Sequence, residues 1–95
     1  MTHEEILALR DDLRAKGYDA RVAYGGTFDI QQESQVHFLN SAEAVALRDA
    51  HQRLITLHGQ AAPQIRLADF AEWGGLNYWY DRLGEIAREP LHMLD

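Results

Sequence analysis

Residues 18–40, YDARVAYGGTFDIQQESQVHFLN, decide the fold. The segment is rich in aromatic and β-branched side chains and alternates between apolar and polar with a period of two, the repeat of a half-buried strand. Two interruptions, one at Gly25-Gly26 and one at Glu33, Ser34 and Gln35, divide it into three strands. Register follows from asking which turn keeps one face apolar. A two-residue turn at Gly25-Gly26 would pair Val22 with Asp29. A three-residue loop, Gly25 to Thr27, pairs Tyr24 with Phe28 and Val22 with Ile30, placing all four on one side. The same test on Glu33, Ser34 and Gln35 pairs Ile30 with Phe38 and Gln32 with Val36. The expected product is an antiparallel meander with one apolar face, the other face carrying Arg21, Asp29, Gln31, His37 and Leu39.

Helical patterns flank the meander. Before it, Thr2 and Glu5 have the spacing of a capping box, and Met1 and Ile6 that of a hydrophobic staple. Ile6, Leu9 and Leu13 form a narrow apolar stripe, Asp12 sits four residues before Lys16, and Gly17 marks the end. After the meander, Asn40 or Ser41 caps a second helix with Glu43 in its first turn and Gly59 at its close; Leu47, Ala50, Leu54 and Leu57 mark its expected buried side. A linker, QAAPQ, leads to a short helix near 67 to 73 and a final helix near 76 to 88, stopped before Pro90. The expectation is an α+β fold of order αβββαα, a three-stranded antiparallel meander with helices packed on one face. Residues 1–95 form one domain, with 1–59 as the αβββα core and 64–95 as a C-terminal helical pair.

The first five elements follow the order found in double-stranded RNA-binding domains. That module needs basic residues at the start of its last helix. Here SAEAVALRDAHQR opens with Glu43 and carries only Arg48 and Arg53, against Asp49. Charge therefore argues against RNA. The net charge of −6 and a pI near 5.2 oppose direct nucleic-acid binding in general, because phosphate contact requires a basic face.

The absence of cysteine excludes disulfides, thiolate nucleophiles and cysteine metal sites. The start, MTHEEILALR, lacks the basic segment and apolar run of a signal peptide, and no window suits a membrane span. A soluble cytoplasmic protein is expected, with no membrane partner. His51 and His58 lie seven residues apart on one helix, about 10 Å along its axis, too far to share an ion without other ligands. Both fall on the apolar side, as structural histidines bonded to backbone or as pH-responsive ones. Ser34 and Ser41 occupy turn and cap positions, Lys16 is the only lysine, and no phosphate-binding loop or nucleophile elbow is present. No catalytic residue, cofactor or metal ligand is assigned, and a non-enzymatic protein is expected.

The stretch FAEWGGLNYWY, residues 70–80, holds five of the nine aromatic side chains. On a helix beginning at Leu76, Trp79, Tyr80, Leu83, Ile86 and Ala87 share one arc, which reads as core. Tyr78 falls on the other side among Asp81, Arg82, Glu85 and Glu89. It is either a scattered surface tyrosine or an aromatic anchor with a charged rim, the composition of a binding hot spot. With Trp73 these residues form the candidate partner-binding surface. The functional expectation is an acidic protein-binding module, an inhibitor occupying a basic surface of a larger nucleic-acid-handling protein. Small phage-encoded inhibitors of bacterial defence nucleases are an analogy of type. The alternatives are a self-associating structural or regulatory domain, a homodimer, and a small-ligand sensor.

Overall fold

The computed structural model describes residues 1–68, and in them the chain is a small α+β fold. Helix α1 (His3–Ala15) is followed by strands β1 (Asp19–Val22), β2 (Phe28–Gln32) and β3 (Gln35–Leu39), then helix α2 (Ser41–His58). The strands form one antiparallel sheet in the order β1-β2-β3. The two helices touch each other, α1 packing on β1 and α2 on β3. The helices expected near 67 to 73 and 76 to 88 fall, from residue 69 onward, outside the described residues. No helix among the described residues is long and apolar enough to cross a membrane.

Both helix starts are capping boxes: Thr2 with Glu5, and Asn40 with Glu43, each side chain taking the other residue's backbone N–H. The Thr2 N–H holds the Glu5 carboxyl below its usual range. Helix α1 ends in a Schellman motif: the Tyr18 N–H donates to the Leu13 carbonyl and the Gly17 N–H to that of Arg14, with Gly17 at φ +97°. A residue bearing Cβ would be strained in that left-handed conformation. The motif turns the chain so that Tyr18 enters the core beside Leu13. The Arg14 Nε–H then donates to the Ala20 carbonyl at 2.8 Å, fastening the end of α1 to β1.

The core lies between the helices and the inner face of the sheet. Leu9, Leu13, Tyr18, Ala20, Phe28, Ile30, Leu39, Ala44, Leu47, Ala50 and Leu54 fill it, joined by Ile65 and Leu67 from the chain after α2. Those last two lie just beyond the expected linker and are buried. Leu57, expected on the buried side of α2, is 59% exposed, whereas Ala44 is buried; His51, expected on the apolar side, is buried. The inward positions 44, 47, 50, 51 and 54 share one arc of α2, and Leu57 lies at the edge of that arc in the last turn.

Both hairpin registers differ from the expected ones. In the first, Val22 pairs with Phe28 and Ala20 with Ile30, so the loop is Ala23 to Thr27 and the slip is two residues. An even slip preserves the faces, and Val22, Phe28 and Ile30 remain inside as expected. Tyr24 leaves the strand and stands fully exposed in a short 3-10 turn, Tyr24–Gly26. This turn is secured beneath α2, where the Ser41 hydroxyl donates to the Gly26 carbonyl at 2.8 Å. A Cβ on Gly26 would come within 3.2 Å of Ile6 Cδ1.

In the second hairpin Gln32 pairs with Gln35, Ile30 with His37 and Phe28 with Leu39, across a two-residue turn at Glu33-Ser34. Both turn residues have positive φ, 53° and 68°, as in a type I′ turn whose twist matches the strands. A slip of one residue exchanges the faces of β3. Leu39 and His37 therefore point inward, and Val36 and Phe38 point outward, reversing the expected faces. Leu39 immediately precedes the Asn40 cap and is 2% exposed, whereas Phe38 is 74% exposed.

The register makes an asymmetric prediction in urea unfolding. Leu39→Ala costs about 2–5 kcal/mol, whereas Phe38→Ala changes stability by less than about 1 kcal/mol. The opposite ranking would restore the three-residue loop.

Candidate binding surfaces

The most tightly organised polar group lies inside the fold. The Tyr18 hydroxyl accepts the Ile65 N–H at 2.9 Å and stands 2.6 Å from His51 Nδ1. The rings of Tyr18 and His51 meet edge to face, with centroids 5.2 Å apart. A phenol has one proton, and a backbone N–H cannot accept it, so the proton points at His51 Nδ1. His51 is consequently the neutral tautomer with hydrogen on Nε2. Burial disfavours its charged form, and the Lys16 ammonium opposes it further, so its pKa lies below the ordinary 6.5. Burial raises the Tyr18 phenol above its ordinary value, with the Ile65 N–H acting in the opposite direction.

A second side chain holds the same outgoing segment. The Gln32 amide donates to the Ile65 carbonyl at 3.0 Å and accepts the Leu67 N–H at 2.7 Å, taking the place of a neighbouring strand. Next to it Arg66 forms a two-pronged ion pair with Glu33, at 3.0 and 3.1 Å. Both groups are half exposed, so the pair contributes at most about 1 kcal/mol. Ile65 and Leu67 bury their side chains as these bonds satisfy their backbone.

Among the described residues the outer face of the sheet is not covered by either helix. It carries Asp19 and Arg21 on β1, Asp29 and Gln31 on β2, and Val36 and Phe38 on β3, with Asp29 flanked by Arg21 and Phe38. Asp19, Arg21, Asp29, Gln31 and Val36 line a shallow depression of about 130 Å³ there. The Arg21 guanidinium reaches Asp19 only at 4.0 Å. Val36 is 49% exposed. Among the described residues β1 and β3 each have one strand neighbour, and β3, sequence QVHFL, carries no Lys, Glu, Asp or Pro to discourage pairing.

The residues assigned to a partner surface, Trp73, Tyr78, Asp81, Arg82, Glu85 and Glu89, all lie outside the described residues. Of the two histidines, His51 is buried and bonds a phenol rather than backbone, while His58 Nε2 and His37 Nε2 are buried without a hydrogen-bond partner. Among the described residues no group of three His, Asp or Glu side chains is placed to hold a metal ion. The Ser41 hydroxyl is committed to Gly26, and Ser34 sits in the β2–β3 turn. No protein-family model, no curated protein and no solved structure matches the chain.

Tyr18→Phe leaves two buried polar groups unpaired and costs about 1–3 kcal/mol for each. The lowered pKa of His51 adds a pH dependence. The unfolded chain binds a proton near pH 6.5 and the native one only at lower pH, so stability contributed by neutral His51 is present above 6.5 and lost as pH falls. The slope cannot exceed about 1.4 kcal/mol per pH unit for one proton. Denaturation midpoints of the protein and of His51→Gln between about pH 5.5 and 7.5 check this, the variant lacking the dependence.

Proposed function

We propose that the protein is a non-catalytic protein-binding module that docks through the outer face of its sheet. The observation that carries this reading is the exposure of Phe38 and Val36 on an uncharged edge strand. Isolated exposed apolar residues are common on soluble proteins. Here, however, the chain buries Leu39 and leaves the larger neighbouring ring in solvent on the outer face of the sheet. An aromatic anchor with polar neighbours is the arrangement found where interfaces concentrate their energy.

Charge indicates the kind of partner. Asp19 and Asp29 stand on the same face, Glu33 stands at its turn, and the whole chain carries −6. A partner with an apolar pocket rimmed by Lys and Arg complements this surface, and complementary potentials speed and orient docking. Proteins that handle nucleic acid carry such basic surfaces, and occupying one would make this chain an inhibitor. A second reading, a homodimer, is favoured by the unguarded β3 edge, along which a copy could pair around a twofold axis.

A paired substitution tests the docking surface. Val36→Lys with Phe38→Lys keeps the inner face intact and should abolish retention of a partner held by the wild-type protein. Raised salt should weaken wild-type binding. Unchanged retention by the double variant would contradict the proposal. Light scattering separates the readings: a monomer at micromolar concentration supports the partner module, and a dimer lost on double substitution supports self-association.

A further inference from the structure

The two edges of the sheet are finished differently. The tight turn at Glu33-Ser34 makes Gln32 and Gln35 a hydrogen-bonded pair, and such pairs alternate in an antiparallel ladder, so Ile30 with His37 and Phe28 with Leu39 are bonded as well. The N–H and C=O groups of Val36 and Phe38 therefore point away from β2. The same alternation, carried across β2, turns the backbone of Ala20 outward from β1. There the groups are taken: the Ala20 N–H donates to the Tyr18 carbonyl at 3.1 Å, and its carbonyl accepts the Arg14 Nε–H at 2.8 Å. The outward backbone groups of Val36 and Phe38 have no such partner among the described residues.

Charge around the open edge has one sign. From Val22 to Leu47 the chain has no Lys or Arg and carries Asp29, Glu33 and Glu43; β2, β3 and the first turn of α2 all fall in this stretch. Glu33 is shared with Arg66, but Asp29 has no ion-pair partner among the described residues, and it stands opposite Phe38 on the outer face. Arg21, on the other side of Asp29, reaches toward Asp19. A second copy would bring the same carboxylates to the edge, whereas a segment of opposite charge complements it.

We propose that the partner contributes an extended segment bearing Arg or Lys, which adds to the free edge of β3 as a fourth, antiparallel strand. This rests on the docking reading above and supplies its mode of contact. Residues of the segment opposite Val36 and Phe38 exchange N–H and C=O bonds with them, and their side chains share the outer face with those of Val36 and Phe38. An arginine there lies over the Phe38 ring and directs its charge at Asp29, two strand spacings or about 10 Å from the added strand. Main-chain bonds supply affinity, and side chains at alternate positions supply selectivity.

The test is amide-resolved NMR hydrogen exchange of the whole protein, alone and with a capped heptapeptide of arginine alternating with threonine or valine. Alone, the Val36 and Phe38 amides exchange freely while those of His37 and Leu39 are protected by β2. Saturable binding with a dissociation constant below about 1 mM is expected, and at tenfold excess over that constant exchange at Val36 and Phe38 slows about tenfold. The same peptide N-methylated on its arginines keeps every charge but cannot donate to the edge, and should bind about tenfold more weakly or worse. No saturation by about 5 mM peptide, shifts without slowed exchange at the two amides, or undiminished binding of the methylated peptide overturns the proposal. So does protection of both amides in the protein alone, from a copy if it grows with concentration and from the same chain if it does not. Should the Val36→Lys and Phe38→Lys pair abolish partner retention while the peptide leaves exchange unchanged, the docking reading stands and strand addition fails.

Discussion

The fold closes on the Tyr18 hydroxyl. This group has one proton to give and lone pairs to accept with, and it uses both inside the core, toward α2 through His51 and toward the outgoing chain through Ile65. Three segments distant in sequence are thereby joined at one oxygen: the end of α1, the third turn of α2, and the extended stretch after the 3-10 turn Gly59–Ala61. In a chain this small, packing alone leaves little margin, and a fully satisfied buried polar node adds specificity as well as energy. The same oxygen fixes the tautomer of His51.

Local chemistry was legible in the sequence wherever the structure is local. The Thr2–Glu5 and Asn40–Glu43 boxes, the Gly17 and Gly59 ends, and the three strands all stand where residue types demand them, because caps and turns are settled within four or five residues. The β1–β2 faces were also readable, since a slip of two residues leaves parity unchanged. The β2–β3 register was not. Counting apolar residues cannot choose between Val36 with Phe38 and His37 with Leu39. The choice is made by α2, which begins immediately after Asn40 and brings Ala44 and Leu47 into the same core as Leu39.

The closing segment was missed for a related reason. Gln60 to Gln64 has the composition of a linker, yet Ile65 and Leu67 alternate with period two directly after it, a signal too short to stand out from a helix start. Its partners, Tyr18 and Gln32, are more than thirty residues away, and no local pattern identifies them. His51 was visible as a polar residue on an apolar face; that its partner is a phenol rather than backbone depends on the Schellman turn at Gly17 carrying Tyr18 inward.

The central claim is that the segment after α2 closes the core with Ile65 and Leu67 and is held there by the Tyr18 and Gln32 side chains. Native-state hydrogen exchange of the Ile65 and Leu67 amides tests it most directly. The account predicts that both exchange only through global unfolding, with protection equal to that of Ile30 in the central strand. Exchange at the rate of an exposed loop, while Ile30 stays protected, would contradict it.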